Sequence, residues 1–367
     1  MKKISVAGPS ITKLEIEYVT KAIKYAWYEG AYRFVQEFEK KTAAYIGMKY
    51  ALATSSCTGA LHLALLSLNI GKGDEVIVPD TTWIATVAPV VYVGAKPVFV
   101  DIEKDTWCID PSKIEKAITK KTKAIIPVHL YGHPAEMDQI RLLARRHKLY
   151  IIEDAAQSIG AQYKNKRTGS LGDISCFSFH GTKTLTTSEG GMLLTSNKKI
   201  YDRAVFLNSH GKSDIPFWNN EIGYKYKMTD LQAALGIAQI TRIESLVRKK
   251  VKIFHWYKEY LGDYEGVTLN VEKFYCKNTY WMVNIIIDRK FGLNKTEIMK
   301  KLQQCGIDAR PFFYPLTSMP PFKRYHTYNP VAYSLSNYGL NLPCNLRMTK
   351  SEVKFVSNHL IKILKLK

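Results

Sequence analysis

The sequence predicts an α/β protein whose main domain is built on a mostly parallel, doubly wound sheet of seven strands. Short runs rich in β-branched residues alternate with amphipathic segments over the first two hundred residues. Such alternation is typical of strand–helix–strand units, which set parallel strands side by side with helices on both faces. The chain has 367 residues, 46% of them hydrophobic, so it can bury a substantial core and is long enough for a second, smaller domain.

Seven runs are expected to form the strands of this sheet, because each is short, apolar and bounded by turn residues. In chain order they are 50–54 (YALAT), 75–79 (EVIVP), 97–101 (PVFVD), 124–129 (AIIPVH), 150–154 (YIIED), 174–179 (ISCFSF) and 192–195 (MLLT). Two of the intervening helices have clear signals. Asp110 and Pro111 are suited to cap and begin a helix before SKIEKAI, and 135–148 has apolar residues at helical spacing.

The last third of the chain has a different pattern. Helical spacing begins near residue 228 and continues through 243 into the basic stretch 248–252, which predicts one long helix leading out of the main domain. Beyond it, 281–288 (WMVNIIID) is expected to be a strand and 295–304 a helix. We therefore expect a large cofactor-binding domain over residues 1–247 and a smaller α+β C-terminal domain over 248–367.

Composition and charge exclude several classes of function. The net charge of +21 comes from lysines and arginines spread along the chain, without a recognisable nucleic-acid-binding module, so it suits an anionic substrate better than DNA or RNA. No apolar run approaches the length of a membrane span, and no apolar segment follows the N-terminal lysines, so the expected location is the cytoplasm. The cysteine, histidine and acidic residues lack metal-ligand spacing, and no metal site is predicted.

Asp154 and Lys183 are the most informative pair of residues in the chain. Asp154 ends one predicted strand, and Lys183 lies in a Gly-Thr-Lys-Thr turn just after the next. Because parallel strands end at the same edge of a sheet, both side chains are expected where open α/β folds bind ligands. The pair suits pyridoxal 5'-phosphate (PLP), since a lysine can form a Schiff base with its aldehyde while an aspartate keeps its pyridine nitrogen protonated. A solvated lysine and a strand-end cap are the alternative interpretations.

Two other segments can complete such a cofactor site. The stretch 55–60 (SSCTGA) lies where a predicted strand turns into the helical segment LHLALLSL, and the N–H groups at a helix start bind phosphate. A simple N-cap is compatible with the same residues. Trp83 follows the strand 75–79 and can stack on a pyridine ring, whereas a core tryptophan is the alternative.

Four segments together resemble the signature blocks of a known family. They are EDAAQ (153–157), GSLGDISCFSF (169–179), GTKTLTTSEGG (181–191) and YKYKMTDLQAALG (224–236). On these motifs the chain is similar to the DegT/DnrJ/EryC1/StrS aminotransferases, with similarity from ISVAGP near the start to NLP at 341–343. The resemblance implies the aspartate-aminotransferase fold (fold type I), PLP as cofactor, and amination of keto groups on nucleotide-linked sugars. HLYGHPAEMD, GTKTLTT and ARPFFYPLTSMPP are most similar to the GDP-perosamine synthases of that family.

The resemblance also implies roles for single residues of the cofactor site. Lys183 becomes the catalytic lysine, which holds the cofactor and moves the proton at the substrate carbon. Gln157 would hydrogen-bond the phenolic oxygen of the cofactor. Contacts to the phosphate are implied for Thr58, Gly59 and Ser178, although the family's usual Gly-Thr order is altered at 58–59.

Two positions depart from the family pattern. Lys225 stands where many relatives have an asparagine that reaches the cofactor phosphate from a neighbouring subunit, and Ser188 stands where glycine is common. A contact of this kind from Lys225 implies a homodimer with shared active sites.

The substrate side has weaker signals. Arg310, Tyr314 and the loop at His210 can contact a nucleotide diphosphate or a sugar, since arginine binds phosphate in a bidentate manner, or they can be packing and surface residues. The leading hypothesis is transfer of an amino group from glutamate to the C4 keto group of a nucleotide-linked 4-keto-6-deoxyhexose. The same chemistry on a C3-keto nucleotide sugar, a cyclitol ketone or dihydroxyacetone phosphate is the first alternative. A non-catalytic relative that keeps the fold is the second.

Overall fold

The computed structural model describes residues 3–365. The strands are β1 Tyr50–Thr54, β2 Glu75–Pro79, β3 Lys96–Val100, β4 Thr122–Ile125, β5 Tyr150–Asp154, β6 Gln162–Tyr163, β7 Lys166–Arg167, β8 Ile174–Ser178, β9 Gly191–Thr195, β10 Val267–Leu269, β11 Cys276–Lys277, β12 Val283–Ile287, β13 Arg310–Pro311 and β14 Gly339–Leu342. The α-helices are α1 Lys13–Tyr25, α2 Arg33–Ile46, α3 Cys57–Ser67, α4 Ala88–Tyr92, α5 Pro111–Ala117, α6 Met137–His147, α7 Lys198–Asn208, α8 Asp230–Thr241, α9 Ile243–Leu261, α10 Lys295–Gln304, α11 Pro330–Ser336 and α12 Lys350–Lys365. Short 3-10 helices lie at Tyr28–Gly30, Ile84–Thr86, Leu130–Gly132, Arg289–Phe291, Leu316–Ser318 and Pro320–Tyr325.

The main sheet confirms the predicted fold class. Its seven strands lie in the order β1-β9-β8-β5-β4-β2-β3, and β9 alone among them runs antiparallel to its neighbours. Helices cover both faces: α3 and α7 pack on one side with the core around Leu61 and Ile152, and α2 and α8 pack on the other around Phe38 and Met192. The strands β1, β2, β5 and β8 all end at one edge, and the loops that follow them therefore meet there.

Three of the seven strand predictions, 50–54, 75–79 and 150–154, match the observed strands at both ends, and three others differ by one residue at one or both ends. The fourth run, 124–129, was expected to be a strand throughout, but β4 ends at Ile125. Pro127 has no backbone N–H, so the ladder cannot continue evenly beyond it. The chain instead turns into the 3-10 helix Leu130–Gly132, in which Tyr131 has a left-handed φ of 53°.

The prediction of one long helix from 228 through 252 is wrong. The chain forms two helices, α8 and α9, which are separated at Arg242 with φ −117° and ψ 21°. Arg242 Nε donates to Glu15 Oε1 at 2.6 Å, and an Nη2 group contacts Ser10 Oγ at 3.1 Å. The bend therefore accompanies a partly buried ion pair with Glu15 of α1, and the periodicity of a helix contains no information about such a distant contact.

A second sheet forms beyond α9. Its strands lie in the order β10-β12-β14-β13, all antiparallel, and α10 and α12 accompany them. The predicted strand at 281–288 and helix at 295–304 correspond to β12 and α10. The predicted domain division after residue 247 falls inside α9, and the division into 1–247 and 248–367 stays a prediction. Within residues 3–365, no helix combines the length and the hydrophobicity needed to cross a bilayer.

Candidate active site

A cavity of about 470 Å³ lies at the edge of the main sheet where β5 and β8 end. Residues just before β12, and residues in and just after β13, of the second sheet close part of its wall. Eight of the predicted site residues line this cavity: Thr58, Trp83, Asp154, Gln157, Ser178, Lys183, Arg310 and Tyr314. Residues far apart in sequence are thus brought together as the strand-end argument predicts.

Asp154 ends β5 and lies almost fully buried at the base of the cavity. Its Oδ2 accepts a hydrogen bond from Thr86 Oγ1 at 2.7 Å, and its Oδ1 accepts one from the Ala156 amide at 3.1 Å. Burial raises the pKa of this carboxyl above its ordinary value, while the two hydrogen bonds and the nearby Lys183 charge act in the opposite direction. The carboxylate is held by two donors, and it borders the cavity.

Lys183 follows β8 and reaches the same cavity. Its Nζ lies 3.7 Å from the centroid of the Trp281 ring. The Trp281 indole N–H in turn donates to the carbonyl oxygen of Thr182 at 2.9 Å. Burial lowers the pKa of Lys183 to about 8, and the Asp154 charge opposes that shift. A lysine with a lowered pKa supplies more neutral amine near pH 7, as a nucleophile or general base requires.

The start of α3 offers hydrogen-bond donors to the cavity. Ser56 caps the helix, and its Oγ accepts from the Gly59 amide at 3.1 Å. The amide N–H groups of Cys57 and Thr58 donate to no group among residues 3–365. Free N–H groups at a helix start, with the helix dipole behind them, form a site suited to phosphate.

Gly59 lies buried in the first turn of α3 and is not part of the cavity wall. A Cβ at this position would come within 2.9 Å of Cγ of Tyr226. The ring of Tyr226 therefore packs directly against the helix start, and its hydroxyl lies 3.0 Å from His62 Nδ1. The close approach of this ring explains why glycine follows Thr58 here.

Trp83 and Gln157 form two further parts of the wall. Trp83 is 58% exposed, and its ring centroid lies 6.3 Å from that of Phe313. This exposure argues against a core tryptophan, and the stacking of Trp83 on the cofactor ring stays a prediction. Gln157 Oε1 accepts from the Tyr131 amide at 2.8 Å, and its Nε2 group donates to no residue of the described chain.

Two predicted residues lie outside the wall of the cavity formed by this chain. His210 and Lys225 are both exposed, and neither borders the cavity. His210 has a left-handed φ of 64°, and its amide donates to the carbonyl of Tyr224 at 3.2 Å. Their assigned contacts with substrate and cofactor stay predictions.

The C-terminal wall carries Arg310 and Tyr314. The Arg310 guanidinium makes no hydrogen bond or ion pair with any residue from 3 to 365 and faces the cavity. The ring of Tyr314 lies 3.6 Å from Lys295 Nζ, which also donates to the Ser336 carbonyl at 2.6 Å. Burial lowers the pKa of Lys295 to about 8.

Sequence reasoning missed several residues of the wall. Trp281, Tyr131, Phe313 and Asn341 border the cavity, and none was predicted to do so. Tyr131 stacks on Phe313 with centroids 5.1 Å apart and the ring planes at 6°. The motif HLYG, which contains Tyr131, was an available signal. For Trp281 the sequence offered no such signal, because the residue was predicted to be part of the strand 281–288.

The cavity fits PLP. The amine of Lys183, whose pKa is lowered, can react with the aldehyde of PLP, and the buried carboxylate of Asp154 can pair with its pyridine nitrogen. The free N–H groups of Cys57 and Thr58 can bind its phosphate. The fold and this set of groups define a PLP-dependent enzyme of fold type I.

Comparison with known proteins identifies the family. The model of the DegT/DnrJ/EryC1/StrS aminotransferase family matches residues 9–361. The chain therefore belongs to this family and is a PLP-dependent aminotransferase. It is 41% identical over 357 residues to a GDP-perosamine synthase of Escherichia coli O157:H7, with 97% of each chain covered. It is 39% identical over 356 residues to a GDP-perosamine synthase of Caulobacter vibrioides, with 96% of each covered.

A solved structure shows the same fold. Spr1654 from Streptococcus pneumoniae, determined in its PLP form, superposes with a TM-score of 0.93 at 27% sequence identity. The superposition covers 99% of both chains. The architecture inferred from the strand order is thus that of a PLP-binding relative.

Proposed function

We propose that this enzyme transfers an amino group from glutamate to the C4 keto group of a GDP-linked 4-keto-6-deoxyhexose. The observation that carries the proposal is the single cavity that joins Lys183 and Asp154 to the unpaired guanidinium of Arg310. Two relatives named GDP-perosamine synthase, at 41% and 39% identity, support GDP as the nucleotide. The positive net charge of +21 favours encounter with an anionic nucleotide sugar.

Asp154 and Lys183 have the two chemical roles in the proposed reaction. Bound PLP supplies an electron sink for the bond broken at the substrate carbon. Asp154 holds the proton on the pyridine nitrogen. Lys183 Nζ takes the proton released from the α-carbon of glutamate in the first half-reaction, and it gives a proton to C4 of the sugar in the second.

Other residues hold the cofactor and substrate in place. Thr58, Ser178 and the N–H groups at the start of α3 bind the phosphate, with Gly59 permitting the close packing of Tyr226 behind them. Trp83 covers the ring, and Gln157 donates its free Nε2 group to the phenolic oxygen. Arg310 binds the diphosphate, whose two charges suit a guanidinium fork. Tyr314 and the loop at His210 contact the nucleotide sugar.

The role of Lys183 can be tested directly. Borohydride reduction of the holoenzyme followed by peptide mapping should place the pyridoxyl group on Lys183. Lys183→Ala should abolish turnover, whereas Lys198→Ala, an exposed lysine paired with Asp202 at 2.5 Å, should keep it. Full turnover by Lys183→Ala would overturn the assignment.

The substrate is tested with a panel of ketones and glutamate. We expect amination of GDP-4-keto-6-deoxyhexose, with the amino group at C4 in the NMR spectrum of the product. An amino group at C3 would favour the C3-keto alternative. Turnover of dihydroxyacetone phosphate or a cyclitol ketone, without amination of any GDP- or dTDP-linked 4-keto sugar, would reject the nucleotide-sugar assignment. Absence of any change on adding glutamate would favour a non-catalytic relative.

We further propose a homodimer in which Lys225 of one subunit reaches the cofactor phosphate in the other. Lys225 is exposed and lies beside Tyr226, which packs on the phosphate-binding helix. The test mixes inactive Lys183→Ala subunits with Lys225→Ala subunits. Each mixed dimer contains one site with both lysines, so activity should return on mixing. Lack of recovery in demonstrably mixed dimers would show that the sites are not shared in this way.

A further inference from the structure

A histidine and a glutamate lie at the cavity wall beside Lys183, and none of the roles proposed above uses them. His180 and Glu189 both border the cavity, with His180 Nε2 3.5 Å from Glu189 Oε1. Their side chains are 50% and 62% exposed. A polar contact so exposed contributes little to stability, so folding alone does not account for the arrangement.

The orientation of the His180 ring is fixed from within its own turn. The Thr182 amide donates to His180 Nδ1 at 3.3 Å, and Thr182 Oγ1 lies 2.9 Å from the same nitrogen. Because Nδ1 accepts from the amide, the hydrogen of the neutral ring is on Nε2. The Lys183 amide donates to the His180 carbonyl at 2.9 Å, so the histidine and the lysine belong to one turn. His180 thus presents a donor on the side of Glu189.

Glu189 is held by a strained and well-bonded turn. Ser188 has a φ of 71°, in the left-handed region that is uncommon for a residue with a side chain. The Glu189 carbonyl accepts from Thr187 Oγ1 at 2.6 Å and from Gln232 Nε2 at 2.9 Å. Strain of this kind persists where the surrounding structure fixes it, and it is concentrated at ligand sites. The turn therefore fixes the backbone position from which the Glu189 side chain extends.

A donor beside an acceptor matches the chemistry of a vicinal diol. One hydroxyl can accept from His180 Nε2 while its neighbour donates to the Glu189 carboxylate. A 4-keto-6-deoxyhexose has such a pair on C2 and C3, next to the keto carbon that must approach Lys183. We propose that His180 binds the C2 hydroxyl and Glu189 the C3 hydroxyl of the sugar, and that the two residues so determine specificity for a hexose. This inference rests on the proposed nucleotide-sugar function and names the residues that recognise its sugar.

The test uses the PLP-loaded, full-length enzyme with Glu189→Gln and His180→Phe. We expect kcat/KM for the nucleotide sugar to fall about tenfold to a hundredfold, chiefly through KM, as for the loss of a hydrogen bond to a charged group. The half-reaction with glutamate alone should stay within about twofold of wild type, because glutamate has no diol. His180→Gln, which keeps a side-chain N–H donor, should recover part of the loss. Glu115→Gln, which removes an exposed glutamate paired with Arg146 at 2.7 Å outside the cavity, is the matched control.

A 3-deoxy analogue of the sugar separates recognition from general damage. Wild type and Glu189→Gln should process the analogue with similar kcat/KM, because the hydroxyl that the carboxylate would bind is absent. An unchanged KM for the normal sugar in both variants, or an equal loss in the glutamate half-reaction, would overturn the diol assignment. If wild type aminates no nucleotide sugar at all, the proposed function itself fails, and with it this inference.

Discussion

Lys183 Nζ lies 3.7 Å from the centroid of the Trp281 ring, and this contact joins the turn after β8 to the start of β12. Trp281 also donates its indole N–H to the Thr182 carbonyl, one residue before the lysine. The indole therefore shields the amine from water and fixes the turn that carries it. Trp281, which lies just before β12, is thus one of the groups that bury the amine of Lys183, and burial lowers the pKa of that amine.

The first prediction concerns the amine itself. In Trp281→Ala, water should reach Lys183, so its pKa should rise from about 8 towards the ordinary value of 10.5. Recombination of the apoenzyme with PLP requires the neutral amine of Lys183, so its rate rises with pH as the amine loses its proton. In Trp281→Ala this rise in rate should occur at higher pH than in wild type. Trp281→Phe keeps a ring and should shift less. Because ionisation of free PLP affects all variants equally, an unshifted profile for Trp281→Ala would show that the indole does not set this pKa.

The second prediction is a pH dependence of stability from Glu39. Its Oε1 accepts from the Ala53 amide of edge strand β1 at 2.7 Å, and burial raises its pKa from 4.5 to about 7. The folded protein therefore binds this proton more tightly than the unfolded chain does. The stabilisation from Glu39 is complete below pH 4.5 and is lost as pH rises to about 7.

Glu39→Gln mimics the neutral form and should remove that dependence. Above pH 7 the variant should be the more stable protein, by at most about 3 kcal/mol from the size of the shift. Thermal melting of both proteins between pH 4 and pH 8 measures the difference. Glu37→Gln, which removes an exposed charge on the same helix, should keep the wild-type pH profile. Parallel profiles for Glu39→Gln and wild type would contradict the prediction.

The third prediction concerns the phosphate-binding helix. In Gly59→Ala, the added Cβ would lie 2.9 Å from Cγ of Tyr226, whose carbonyl accepts from the Ser55 amide at 2.6 Å. The ring and the helix start must separate, which should weaken PLP binding about tenfold and cost about 1 to 3 kcal/mol of stability. Titration of apoenzyme with PLP gives the affinity. At Gly71 the nearest contact of a Cβ is an ordinary 3.5 Å, so Gly71→Ala should bind PLP as wild type does.

The sequence was sufficient for the parts of the site that depend on strand ends. Asp154 and Lys183 could be placed together because Asp154 ends one recognisable strand of the main sheet and Lys183 lies in the turn after the next. Trp281 could not, since its contact with Lys183 crosses from one sheet to another and leaves no periodic signal. The break at Arg242 was hidden for the same reason: Glu15, its partner, lies on a helix more than two hundred residues away. Local pattern gives elements and their ends, while contacts between distant elements depend on packing.

The last prediction concerns Glu153, which lies next to Asp154 on β5 and is fully buried. Its carboxylate accepts from the amides of Gly169, Leu171 and Gly172 at 2.6 to 2.7 Å, and from His129 Nε2 at 2.9 Å. An amide has only one acceptor oxygen, so Glu153→Gln leaves donors without partners and should cost about 3 to 5 kcal/mol.

The effect should reach the active site by two routes. Glu153 lies beside Asp154 on β5, and the loop at 169–172 that it holds leads into β8 and then to Lys183. We expect a lower melting temperature and weaker PLP binding in Glu153→Gln. Glu136→Gln, at a glutamate whose Oε1 accepts from Tyr163 Oη at 2.5 Å, removes a single-partner carboxylate near the same sheet and should cost less. Equal losses of stability in the two variants would contradict the prediction, because they would show that the four hydrogen bonds of Glu153 stabilise the fold no more than the single one of Glu136.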